Sequence, residues 1–167
     1  MAGMGRNMSG ASKTIGSRWY VRLLRGVIIV LALAGLAVFC YWAYTFTLAP
    51  VYDPHHWAIG NTHPGHTLQF YLDRPSIKDA IIQIGGNLVL LAPLGVLLPL
   101  ITPKLRGPIR LTLVIAVISS AIEVTQGTAI SGRSFDVDDI ILNTLGGLLA
   151  YLIIGRRFGR LLHGAKR

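Results

Sequence analysis

The sequence predicts an all-α membrane protein: four transmembrane helices in a compact bundle, with the N- and C-termini cytoplasmic. Three observations predict it. Apolar residues make up 52% of the chain and charged residues only 14%, against about 25% charged in a typical soluble domain. Four apolar stretches approach the roughly 20 helical residues that cross a hydrocarbon core of about 30 Å. The blocks between them alternate between basic and non-basic, as flanks of successive spans do under the positive-inside rule.

The first span, GVIIVLALAGLAVFCYWAYTF (26–46), follows a basic N-terminal segment (1–25) holding Arg6, Lys13, Arg18, Arg22 and Arg25 and no acid. It is too long for a signal-peptide core and ends in Phe39, Tyr41, Trp42, Tyr44 and Phe46, which suit an interfacial aromatic belt rather than a small-residue cleavage site. Phe39 before Cys40 also argues against lipoprotein processing, and the lone cysteine cannot form an internal disulfide.

The loop 47–79 balances Asp53, Asp73 and Asp79 against Arg74 and Lys78. The second span, AIIQIGGNLVLLAPLGVLLPLI (80–101), starts after Pro75 and Ser76, with Ser76 and Asp79 spaced as a capping box. Gly85, Gly86, Pro93 and Pro99 exclude a straight, uniform helix, and Pro93 is expected to kink it. Lys104, Arg106 and Arg110 flank the third span, IRLTLVIAVISSAIEVTQ (109–126). The loop after it carries Arg133 against Asp136, Asp138 and Asp139. The fourth span, 138–154, is the shortest, and a basic tail (155–167) follows with Arg156, Arg157, Arg160, Lys166 and Arg167. Spans 26–154 therefore form one membrane domain with cytoplasmic ends.

This topology gives the polar residues a depth. Asn87 falls about 10 Å below the outer surface at 1.5 Å of rise per residue. Span three climbs outward, so Glu123 and Gln126 reach the same layer, and Asn143 lies one turn below Asp139. Ser119, Glu123 and Gln126 share a face at i, i+4, i+7; Asp139 and Asn143 share one at i, i+4. Gly146 with Ala150, and Ala116 with Ser120, are small-xxx-small pairs that let helices approach closely. Asp136 is placed as N-cap of span four, with Asp139 at N3 completing an acidic capping box and Asp138 favouring the positive end of the helix dipole.

Each polar residue has a functional and a structural reading. An intramembrane Glu123 marks a functional site, or pairs with Arg133 to fix a loop. Asp139 with Asn143 forms part of a site, or caps and glues. Asn87 is ligand-binding or an interhelical hydrogen bond, while Gln126, Asp136 and Ser119 lean towards structure. The oxygen donors would suit a divalent cation, yet no EF-hand or zinc spacing is present, so no metal or other cofactor is expected. His55, His56, His63 and His66 lie in the loop 47–79, where the Pro-Gly between the last two reads as a turn in a solvated loop. The net charge of +9 sits at the flanks without any nucleic-acid motif, so nucleic acid is excluded as a partner. No P-loop, dinucleotide fingerprint or nucleophile elbow occurs.

The ordered blocks GGNLVLLAPLGVLLPL, SSAIEVTQ and GRSFDVDDIILNTLGGLLAY resemble the VanZ-like family of bacterial membrane proteins, over about 82–151, with TLAP (47–50) a looser match. The resemblance places the family's polar positions on Asn87, Glu123, Gln126, Arg133, Asp139 and Asn143, its Pro-x-Gly on Pro93 and Gly95, and its double glycine on Gly146 and Gly147. Leu91, where an aromatic is common, and Ala150, where a glycine is common, depart from the pattern in packing rather than chemistry. The resemblance implies a multi-pass protein of the bacterial plasma membrane, and the family's founding member is associated with teicoplanin resistance.

The expected function is binding, or acting on, a lipid-linked or glycopeptide headgroup at the outer leaflet. The partners would be a membrane lipid, a lipid-linked cell-wall precursor or a glycopeptide, in a monomer or homo-oligomer. Site candidates are Asn87, Glu123, Gln126, Arg133, Asp136, Asp139 and Asn143. Two alternatives stand beside it: a carboxylate-dependent membrane enzyme using Glu123 and Asp139, and a non-catalytic scaffold in which the polar residues are interhelical glue. A transporter fits less well, because the polar residues gather at one surface rather than the midplane.

Overall fold

A computed structural model describes residues 10–48, 60–73 and 76–164. Four helices in it are long and apolar enough to cross a membrane. Span one is Trp19–Thr47, within the continuous helix Gly10–Thr47. Span two is Ile77–Ile101, span three Pro108–Ala129 and span four Val137–His163. A short helix, His66–Leu72, lies between spans one and two. All described Asp and Glu residues lie toward one end of the bundle, here called the acidic end; Lys104, Arg106, Arg156 and Arg160 lie toward the other, the basic end.

Span two is broken as its sequence requires. Ser76 caps its start, accepting the Asp79 N–H at 3.3 Å; Pro75 is outside the described residues. A π-helical turn occupies Ile81–Gly85, and the helix is interrupted at Leu91 (φ −98°, ψ 4°), with Pro93 in the first turn of the new segment Ala92–Ile101. Proline offers no N–H to the carbonyl four residues back and its ring crowds that carbonyl, so the chain breaks ahead of Pro93. Pro99 likewise withholds a donor from the Gly95 carbonyl.

Span four is the central helix. It packs on spans two and three through glycines. A Cβ on Gly95 would collide with the Gly147 carbonyl and stand 2.9 Å from the Tyr151 backbone nitrogen. One on Gly146 would strike the Leu88 carbonyl, and one on Gly155 the Gly95 carbonyl that Pro99 leaves without its helical donor. Such backbone approaches let Cα–H groups meet carbonyl oxygens and replace the missing hydrophobic drive between helices in lipid with close packing. The Gly146 expectation is met, and its partner surface is the span-two backbone at Leu88. Leu91, Leu94, Leu111, Ile115 and Tyr151 form the buried core beside these crossings.

Span four is longer than the expected 138–154. It continues through a π turn at Tyr151–Gly155 and then Arg156–His163. Hydropathy falls after Ile154, but Tyr151, Gly155, Gly159 and Leu162 keep one face buried. The Tyr151 hydroxyl donates to the Arg106 carbonyl at 2.5 Å, Arg106 Nη1 donates to the Gly159 and Gly164 carbonyls at 3.3 and 2.5 Å, and the His163 ring meets the Leu100 carbonyl at 2.8 Å. Packing and captured carbonyls, not apolar content, carry the helix past Ile154. Much of the basic tail is therefore helix.

Span one is peripheral. Val30, Leu31, Tyr41 and Trp42 are exposed and face outward from the bundle, as lipid-facing residues would. Gly35 reaches Leu97 of span two, and Leu36 and Phe39 pack against the core.

Candidate functional site

At the acidic end, spans two, three and four bring together the polar residues that the sequence scatters over 57 positions from Asn87 to Asn143. The Asn87 side-chain amide donates to Asp139 Oδ1, joining span two to span four. Glu123, 3% exposed, accepts the Asp136 backbone N–H on Oε2 at 3.0 Å, joining span three to the head of span four. Ser119, Glu123 and Gln126 line one buried face of span three, as their spacing predicts.

A local correction concerns the start of span four. Asp136 is its N-cap and accepts the Asp138 N–H at 2.8 Å, as expected. Asp139 does not return the bond that a capping box needs. It reaches Asn87, and Glu123 of span three receives the Asp136 N–H. The reciprocal half of the box is supplied across the helix interface, because the half-buried Asn87 amide takes Asp139 as its acceptor.

Asp138 differs more. It is 3% exposed rather than a carboxylate idling in the helix dipole. Its oxygens accept N–H groups from Gly65 at 2.6 Å, Thr67 at 2.8 Å and Leu68 at 3.3 Å. These are the N-cap and first-turn donors of His66–Leu72, which has no side-chain cap of its own, so Asp138 caps a helix 70 positions away in the chain. Asn61 completes the clasp. Its backbone pairs with Phe135 and Val137 at 2.8 and 3.0 Å, and its Nδ2 donates to Asp136 at 2.9 Å. The Thr67 hydroxyl donates to Asp136 Oδ2 at 2.5 Å. Asn61, Thr67 and Asp138 were missing from the sequence candidates; the only local signal was the Asn-x-His-Pro-Gly turn, in which the His63 N–H binds Asn61 Oδ1 at 2.9 Å. His63 and His66 are exposed on this turn. His55 and His56 are outside the described residues. Among the described residues no group of three or more His, Cys, Asp or Glu is arranged to hold a metal ion.

Gln126 and Arg133 bind the end of span one. Gln126 Nε2 donates to the Thr47 carbonyl at 2.8 Å and Arg133 Nη2 to the Phe46 carbonyl at 2.6 Å. The last carbonyls of a helix lack intrahelical donors, and a cation there also meets the negative end of the dipole. These two residues therefore hold the peripheral helix to the bundle at its acidic end.

Five polar groups stand apart from this framework. Among the described residues no protein donor reaches Glu123 Oε1 or Asp139 Oδ2. Below them, Asn143 is 1% exposed and its Oδ1 is unpartnered, as are the hydroxyls of Ser119 and Thr144. Gly147 meets Ile115 across the antiparallel spans three and four. One turn toward the acidic end that register sets Asn143 level with Ser119, and the next turn sets Asp139 level with Glu123. The polar layer thus continues inward as a column between these spans. Leaving a buried polar group such as those of Ser119, Asn143 and Thr144 unsatisfied costs about 1–3 kcal/mol each.

An apolar groove of about 360 Å³ runs along the outside of span two at the same end, lined by Tyr71, Leu72, Ile77, Ile81, Ile84 and Leu88 among others. Leu88 adjoins Asn87 in the chain.

A family model described as VanZ/LLP1 matches residues 27–158 of this chain. No curated protein and no solved structure matches it.

Proposed function

The chain belongs to the VanZ/LLP1 family, and from that premise we propose that it binds the headgroup of a lipid-linked or glycopeptide molecule at the outer leaflet of the bacterial plasma membrane. In this reading the acidic end faces outward and both termini are cytoplasmic, following the basic flanks. The observation that carries the proposal is the set of unpartnered acceptors on Glu123 and Asp139 beside Asn87. Acceptors call for a ligand rich in donors, such as the hydroxyl, amide or ammonium groups of a saccharide or peptide. Arg133, at the rim, is the cation suited to a phosphate or carboxylate of the same ligand. The groove ending at Leu88 gives a lipid chain an apolar path next to the headgroup.

Gln126, Asp136 and Asp138 serve as framework, each fixing a loop or helix end through a backbone partner; Arg133 and Glu123 also hold backbone groups and border the site as well. The competing enzymatic reading uses the same two carboxylates as general acid and base; it is favoured by their placement on facing helices, and turnover that Glu123→Gln abolishes in a folded protein would separate it from binding.

The family association makes teicoplanin the first cellular test. In a sensitive bacterial host at matched membrane levels, the intact protein is expected to raise resistance to teicoplanin more than to vancomycin. Glu123→Gln and Asp139→Asn are expected to remove that protection. Protection that survives in both variants would return these residues to capping and glue.

A further inference from the structure

The basic end carries a second site that the acidic mouth does not involve. A cavity of about 440 Å³ opens between the connection joining spans two and three and the last turns of span four. Arg106, Arg156 and Arg160 line it, with Pro108, Tyr151 and Leu152. Its volume falls in the range of small-molecule sites, roughly 300–1,000 Å³.

Among the described residues no Asp or Glu lies at this end to balance the three guanidinium groups. All seven acids lie between positions 53 and 139 and belong to the loop 47–79, the top of span three or the head of span four. Segments 1–25, 102–110 and 155–167 contain none. Arg106 is held in place by the Gly159 and Gly164 carbonyls. Arg160 uses Nε on the Arg156 carbonyl at 3.3 Å. Among the described residues the Arg156 guanidinium has no partner. Like charges gathered in one cavity repel, and at the headgroup depth of a membrane the available counter-ion is a lipid phosphate.

We propose that this cavity binds the phosphodiester of an anionic phospholipid in the leaflet at the basic end. Arg156 and Arg160 supply forked donors to the phosphate oxygens, Arg106 is the fixed cation behind them, and Leu152, exposed toward lipid, borders the path of an acyl chain. The bound lipid would stitch the span two–three connection to the end of span four, where the helix outlasts its apolar sequence.

The test uses the full chain in detergent, titrated with phosphatidylglycerol, phosphatidylcholine or soluble glycerol phosphate and read by native mass spectrometry. Phosphatidylglycerol is expected to be retained and the other two not. The double variant R156Q/R160Q is expected to weaken that retention at least tenfold, while R110Q/R157Q, which removes the same charge outside the cavity, leaves it unchanged. Arg106 also secures helix carbonyls, so it is left intact in both. Equal loss in the two double variants would overturn the cavity in favour of diffuse surface charge. Retention of phosphatidylcholine at the same strength would overturn the charge argument, and glycerol phosphate binding as tightly as the lipid would overturn the lipid assignment.

Discussion

Asp138 shows what one side chain can organise. Its carboxylate receives three backbone N–H groups from Gly65, Thr67 and Leu68, so Asp138→Ala leaves the short helix His66–Leu72 uncapped. Loss of a helix cap costs about 1–2 kcal/mol, and faster amide exchange at Thr67 and Leu68 than in the intact protein is the expected readout, with spans two to four unchanged. Unchanged exchange would remove Asp138 from this role. The sequence marked Asp136 and Asp139 and passed over Asp138 because local rules see only neighbours along one helix. Spacing correctly put Asp136 at the cap. It could not show that Glu123 would take the Asp136 N–H, that Asn87 would claim Asp139, or that a loop more than 60 positions upstream would fold onto Asp138. Glu123, Asn87 and Asn143 were legible for a simpler reason: polar groups inside apolar spans need an explanation wherever they occur.

Between elements, the glycine crossings of spans two and four decide whether the mouth forms. Gly95→Ala and Gly146→Ala would each drive a methyl group into the facing backbone, and backbone cannot rotate aside as a side chain can. Overpacking of this kind costs about 1–3 kcal/mol or more. Gly86 has open space at the same position, so Gly86→Ala is expected to be neutral or stabilising by up to about 1 kcal/mol. Unfolding of the three variants in mixed micelles checks the contrast; equal effects would contradict the backbone contact. The four spans and the break ahead of Pro93 were readable from hydropathy and proline. The end of span four was not, because its last turns are held by Tyr151, Gly155, Gly159 and Leu162 against their neighbours and by Arg106, while the apolar run itself stops at Ile154. The helical face was present in the spacing, but its partner was not.

Across the whole molecule, charge separates into two ends. Among the described residues the acids gather where loops fold over spans two to four, and the arginines other than Arg133 gather at the opposite helix ends, a distribution that favours one orientation in a membrane. A fluorescent protein fused after Arg167, of a kind that matures only in the cytoplasm, is expected to be bright in bacteria; a dark fusion at normal expression would invert the topology and move the acidic mouth inside. Whether Glu123 and Asp139 present the acceptors of a headgroup site is measured by binding of a polyprenyl-linked peptide–saccharide precursor to the full chain in lipid nanodiscs, comparing the intact protein with Glu123→Gln, Asp139→Asn and Gly86→Ala. The expected result is saturable binding that both carboxylate variants weaken at least tenfold and Gly86→Ala leaves intact. Binding unaffected by either carboxylate substitution, in variants that remain folded, would remove Glu123 and Asp139 from any headgroup site.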